Sequence, residues 1–353
     1  MAQLRFGAFR LCGVLLLASG LSATLRAASL RSPWTGRPVA KTSASFACPE
    51  LAPLTPDLTM DGFYRKDDPT HSIIDPARQA AYTAAAAPVK GDAETIVKEA
   101  DEYRAKGARS VAVCVVQQIA SLAQQRSMTG RMSSNQSYYV QGWIAGAIAI
   151  AYLKVVDSGV ASQEQQTAIA SWLVAIGKQT QQYYEAHADK GDASNNHYYW
   201  AGLELAAIGV ATQNREDFDW GVHAYDHGVA DIQPDGTLPH EMERGVRALH
   251  YHLYALAPLV LLAEFGEANG IDLYARSGGA IHRLAALSVH GLSDPSLFEK
   301  ETGVKQEVPK VPSGDQIAWA PPYERRFPDP LLKKLIEQAP SLHSLYLGGL
   351  PPQ

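Results

Sequence analysis

Two stretches, N-Q-S-Y-Y-V-Q-G-W (135–143) and N-N-H-Y-Y-W-A-G-L (195–203), share one pattern sixty residues apart. Each sets a polar and aromatic start in front of an Ala-rich run with apolar residues at helical spacing. A weaker third instance is R-A-L-H-Y-H-L-Y-A-L (247–256). Repeats of one helical hairpin point to a solenoid or a closed ring. In a ring, the inner helices aim their starts at one shared cleft. The expected fold is an all-α toroid with its chemistry at one mouth.

Working outward, helical periodicity covers roughly 91–106, 108–127, 137–157, 163–187, 198–212, 216–233, 242–269 and 279–292. Gly107, Gly159, Gly191, Pro234-Asp235-Gly236 and Gly270 break the runs. Before them, 28–60 is rich in Pro, Ser and Thr and reads as an extended surface lead-in. D-G-F-Y-R-K-D-D-P-T-H-S-I-I-D-P (61–76) reads as a long mobile loop, the kind that serves as a lid. The Pro-rich tail, 306–353, is expected to wrap the surface. The toroid domain is therefore assigned to 61–353.

The chain starts with Arg5 and Arg10, an apolar run over 11–21, and small residues at Ala27 and Ala28. That is the layout of a secretory signal peptide, 1–27. Its removal takes away Arg5, Arg10 and Arg26 and no acid, moving the formal charge from −5 to −8. An exported, periplasmic protein with no membrane anchor after cleavage is expected. The acidic balance and the lack of a Lys/Arg block argue against nucleic acid as a partner. Cys12 lies in the signal. Cys48 and Cys114 remain as an even pair in an oxidising compartment, and a disulfide between them is expected.

The polar residues fall into two clusters. One is S-N-N-H-Y-Y-W, with Asn195, Asn196 and His197; the other is L-P-H-E-M-E-R-G-V-R-A-L-H-Y-H-L-Y-A-L (238–256). On a continuous helix, Arg244 and Tyr251 share a face two turns apart, and so do Arg247 and Tyr254. Spacing alone does not choose between these pairs. His, Arg, Tyr and an amide in one cleft suit β-elimination on a uronic-acid polymer. The substrate carboxylate must be neutralised, enolate-like charge stabilised, the C5 proton taken and O4 protonated. A tyrosine of ordinary pKa ~10 needs cationic neighbours to serve as the base. No metal or cofactor is required.

These segments resemble the polysaccharide lyase family that contains the bacterial periplasmic alginate (polymannuronate) lyases. The resemblance runs from about Tyr64 onward and includes G-F-Y in the lid, N-Q-S-Y-Y-V-Q-G-W and D-F-D-W (217–220). In that family an N-N-H motif is followed, 47 and 54 residues after its His, by Arg and Tyr. Those positions are Arg244 and Tyr251 here, without a gap. The resemblance implies an incomplete (α/α) toroid and assigns Asn196 and His197 to carboxylate neutralisation. It makes Arg244 a charge stabiliser and Tyr251 the proton-transfer residue. It also places Tyr64, Gln136, Tyr139 and Trp143 along the sugar subsites. Arg247, with Arg244, Arg65, Lys66 and protonated His, is expected to make the cleft basic for a polyanionic substrate. Trp200 is either a second stacking platform or a core residue.

In mannuronate and glucuronate, H5 and O4 lie on one side of the ring, so one tyrosine can serve both transfers in a syn elimination. The two sugars differ only at C2, so subsites and lid must discriminate between polymannuronate and polyglucuronate or hyaluronan. Two rival readings stand beside this one. A hydrolase would use a pair among Asp235, Glu241 and Glu243. A glycan-binding or exopolysaccharide-assembly protein would hold polymer without turnover. His250-x-His252 puts its imidazoles on different faces of a helix and makes a poor metal site. A monomer is expected.

Overall fold

Asp75 begins the helical body. Its carboxylate accepts from the backbone N–H groups of Ala77 and Arg78, and Pro76 fills the first turn of α1 (Pro76–Lys106). The computed structural model describes Met1 and residues 29–352. There follow α2 (Arg109–Gln124), α3 (Asn135–Val155), α4 (Gln163–Ala186), α5 (Asn196–Thr212) and α6 (Arg215–Asp231). After them come α7 (Pro239–Met242), α8 (Ala248–Ala268) and α9 (Arg276–Gly291). Ser134, Ser162, Asn195 and Asn214 cap α3 to α6 with their side chains. Among the described residues there are no strands, only isolated bridges. The expected signal peptide and Cys12 lie outside the described residues, Met1 apart.

The helices form two layers. Along the inner row α1 packs on α3, α3 on α5, and α5 on α8, while α2, α4, α6 and α9 pack outside them. Inner α3, α5 and α8 are buried almost all round. Asn135–Ser158 and Gly245–Ala268 are long and apolar enough to cross a membrane, but most of each lies inside the protein. They are core helices. Between α5 and α6 the backbones come very close: a Cβ on Gly221 would meet the carbonyl oxygen of Gly202 at 2.5 Å. Glycine is required there by space.

Four expectations need correction. The helix expected over 91–106 starts at Pro76, because Asp75 and Pro76 supply a start that the Ala-rich stretch after them only continues. The segment 61–76 is not structureless. Buried Asp68 accepts from the N–H groups of Thr70, Ser72 and Ile73, and Tyr64 bridges Ile74. The helix expected over 242–269 is broken into α7, a 3₁₀ turn at Gly245–Arg247, and α8. Gly245 takes a positive φ of 51° at the break.

The tail, finally, enters the body instead of wrapping it. Ile317, Trp319, Tyr323, Leu332 and Leu347 are buried, and the turn Leu345–Leu347 packs against α1, α3 and α8. It fills the gap that an incomplete ring leaves. Buried Lys154 pairs with Asp101 and donates to the carbonyls of Gly348 and Leu350, which fastens the tail. The lead-in is extended as expected, though Leu30, Trp34, Leu58 and Met60 reach the core. Cys48 is bonded to Cys114 on α2.

Candidate active site

The starts of α3 and α5 and the α7–α8 turn open onto one cleft of about 1290 Å³, larger than a usual small-molecule site. Tyr64, Gln136, Tyr139, Trp143, His197, Arg244, Arg247 and Tyr251 all line it. Asn196 does not. Its side chain is fully buried, and its Nδ2 donates to both carboxylate oxygens of Glu241 at 3.0 Å, while its backbone N–H donates to the same group. Of the two adjacent asparagines, the one that lines the cleft is Asn195, whose Oδ1 accepts from the N–H of His197. The cap explains the swap. With Asn195 outside the helix as N-cap, Asn196 is the first helical residue and turns inward.

Arg244 and Tyr251 meet, but not as two turns of one helix. Arg244 sits in the turn before α8 and folds back, its guanidinium 3.4 Å from the centre of the Tyr251 ring. The carbonyls of Thr70 and His71 hold it there. The Tyr251 hydroxyl bonds that of Tyr64, and the Tyr64 hydroxyl also accepts from Arg247 at 2.8 Å. Arg247 lies beside Glu307, not Glu243. Burial pushes the Tyr251 hydroxyl well above its ordinary value; the Arg244 charge opposes this and the Tyr64 contact adds to it. Tyr251 is thus a neutral phenol in the free protein.

His197 and His250 add no positive charge to the cleft. Burial, and then the charge of Arg244, push His197 down to about 3; burial and the charges of Arg247 and Arg244 do the same to His250. Both are neutral at pH 7. The cations lining the cleft include Arg244, Arg247, Arg65 and Lys66, with Arg65 paired to Asp67. Lys90 on α1 adds another at the far end, over the rings of Tyr82 and Tyr346.

His197 stacks on Tyr139, ring centres 3.8 Å apart. The Tyr139 hydroxyl donates to Asp192, which also accepts from Tyr183. Trp143 faces the cleft with Tyr346 of the tail 5.1 Å away. Trp200 is buried against Tyr254 and Tyr346 and is a core residue. His252 is buried, accepting from Leu238 N–H at Nε2 and donating from Nδ1 to Ala248 O, so it is unavailable to a metal. Of the carboxylates weighed for hydrolysis, Asp235 closes its own turn with Thr237, and Glu241 is committed to Asn196. Asp192, Lys90 and Tyr346 escaped the sequence reading, and Glu241, weighed there only for hydrolysis, proves to be the partner of Asn196.

The family model for alginate lyase matches residues 59–298. A polysaccharide lyase of Stenotrophomonas maltophilia (strain K279a) is 38% identical over 314 residues, covering 88% of this chain and 91% of that protein. An alginate lyase of Cobetia marina is 30% identical over 348 residues, covering 95% and 92%. Among solved structures, alginate lyase A1-III from Sphingomonas species A1 superposes with a TM-score of 0.70 at 22% identity, covering 91% of this chain and 86% of that one. A tetrasaccharide complex of a variant of A1-III gives 0.72 at 23% identity, covering 92% and 89%. These superpositions show the helical toroid fold.

Proposed function

The chain belongs to the alginate lyase family, and from that membership we propose that it is a polysaccharide lyase. It cleaves 1,4-linked polyuronates by syn β-elimination and leaves 4,5-unsaturated uronate ends. Polymannuronate (alginate) is the first substrate. Polyglucuronate and hyaluronan, with the same arrangement at C4 and C5, are further ones. The enzyme acts as an exported periplasmic monomer whose signal peptide is 1–27, whose lead-in is 28–60 and whose toroid, with its lid at 61–76, is 61–353.

The observation that carries the reading is the arginine stacked on a cleft tyrosine beside a neutral histidine. A uronate carboxylate set against Arg244 and the His197 N–H is neutralised, which acidifies H5. Asn195 supplies the exposed amide, and Asn196 acts from behind it by holding Glu241. Tyr251 must be a phenolate to take H5. Arg244 over its ring and the Arg247 charge nearby stabilise that phenolate, while burial and the Tyr64 contact oppose it. Once protonated by C5, the same phenol is the ready acid for O4 on that side of the ring. Tyr139 and Trp143 give stacking faces for the flanking sugars.

The test is ultraviolet absorbance of the C4–C5 alkene, with polymannuronate, polyguluronate, polyglucuronate and hyaluronan run in parallel. Absorbance should rise first on polymannuronate. Flat traces on all four overturn the lyase reading, and new reducing ends without the alkene move it to a hydrolase.

A further inference from the structure

Beneath the cleft floor lies a second, buried cavity with about 10 Å³ of water-accessible space, at the threshold for one water. His197, Tyr139 and Trp143 line both it and the cleft, so these rings are the wall between the two. On the inner side are Thr180 and Tyr184 of α4, and Ala201 and Glu204 of α5. His197, Ala201 and Glu204 fall at helical spacing on one face of α5, and Ala201 leaves the room between the other two. Gly142 of α3 makes the rest: a Cβ there would lie 2.6 Å from a Glu204 carboxylate oxygen.

Two groups in this wall are otherwise unexplained. Nδ1 of His197 is buried with no hydrogen-bond partner among the described residues. Glu204 is 1% exposed, and its only hydrogen-bond partner among the described residues is the Thr180 hydroxyl, at 3.0 and 3.1 Å. A buried carboxyl with so little support stays protonated at neutral pH. Burial and the Asp217 charge hold it high, with Thr180 opposing.

We propose that Glu204 is a positioning residue for His197: through one water in this cavity its carboxyl proton supports Nδ1 as an acceptor, which holds the N–H on Nε2, toward the cleft. The inference rests on the proposed lyase function for what Nε2–H binds, a uronate carboxylate, but not for the tautomer itself. The water has Glu204, His197, Thr180 and Tyr184 as polar neighbours, enough for its bonds. When Glu204 ionises, the water turns to donate to the carboxylate and accepts from Nδ1–H. Nε2 then presents a bare lone pair to the substrate carboxylate and repels it. The other charged or titratable groups facing this pair are Tyr138 and Tyr139 on α3, Tyr183 and Tyr184 on α4, Asp217 on α6, and Asp192 and Arg244 at the cleft.

The experiment is nitrogen-15 NMR of histidine-labelled protein without substrate, the His197 signal being assigned by its loss in His197→Asn. The ring should be the Nε2–H tautomer at pH 7 and pass to Nδ1–H with a midpoint near that of Glu204, about 8. In Glu204→Gln, which keeps an N–H donor and cannot ionise, the tautomer should stay Nε2–H throughout. In wild-type enzyme KM should rise about tenfold on the alkaline side, the size of one lost hydrogen bond to a charged group. In Glu204→Gln it should not rise. A wild-type tautomer that does not change between pH 6 and 9.5, or one that changes equally in Glu204→Gln, overturns the proposal. Because the NMR arm needs no turnover, a protein without lyase activity would leave it standing or falling on its own.

Discussion

The Arg244 guanidinium lies 3.4 Å from the centre of the Tyr251 ring although the two residues belong to different elements. A helix break at Gly245 lets the arginine fold back over the tyrosine, and two lid carbonyls hold it. Arg247, one turn nearer in sequence, stays farther off, its guanidinium 5.9 Å from the Tyr251 ring centre, and bonds the Tyr64 hydroxyl.

Tyr251→Phe removes the hydroxyl and keeps the ring under Arg244. Turnover should fall by roughly 10³-fold, the scale of lost acid–base catalysis, with oligosaccharide affinity largely kept. Alkene absorbance for turnover and calorimetry for binding check it. Near-normal turnover would remove Tyr251 from the chemistry.

Arg244→Ala should cost more turnover than Arg247→Ala, because Arg244 touches the reacting residue and Arg247 touches its neighbour. Kinetics on variants of matched thermal stability decide the order. The reverse order would hand the central role to Arg247.

Asn196→Ala and Glu241→Gln should each destabilise the fold by about 1–3 kcal/mol, since each leaves the partner buried and short of hydrogen bonds. Urea denaturation of the two variants and the double variant should show strong non-additivity. Additive losses would mean the two residues do not act as one brace.

Cys48 and Cys114 close a loop with a sequence separation of 66. Loop-closure entropy puts the stabilisation at about 4 kcal/mol. Thiol titration of the denatured, unreduced mature protein should find no free thiol, and Cys114→Ala should lower Tm markedly. A variant that melts with the wild type would show that the native packing of the lead-in suffices.

Stability should fall on both the acid and the alkaline side of a maximum. His197, His250 and His252 are held by burial at about 3, about 3 and about 4, so their contribution is present above ~6.5 and is lost as pH falls, because the unfolded chain takes up those protons. Burial holds Glu99 and Glu204 at about 7 and about 8, so theirs is present below ~4.3 and is lost as pH rises through those values. Burial also raises Asp92, Asp217 and Glu241 and lowers His282, so between about 4.3 and 6.5 the two effects oppose each other. Thermal melts from pH 4 to 9 test this; a monotonic rise through pH 9 would contradict it.

Much of this molecule is written locally. Helical periodicity and the even pair Cys48 and Cys114 are enough for an all-α body and its disulfide. The residues that line the cleft were legible too, because a polar and aromatic cluster at the start of an Ala-rich helix has no packing reason to be there. What local sequence misjudged was orientation. Asn195 and Asn196 are adjacent and chemically alike, and only the choice of N-cap, with Glu241 forty-five residues away, sends one to the cleft and the other inward. Arg244 was placed on a helix face because no helical period marks a break at a glycine with positive φ. Lys90 and Tyr346 lie far apart in the chain and meet at one end of the cleft because the tail packs into the body, held by its buried apolar residues and by Lys154 and Asp101. The elements and the reactive side chains were thus determined by the sequence through short-range preference. Which of those side chains face one another was decided by tertiary burial, since each buried polar group must find a partner that the local chain does not supply.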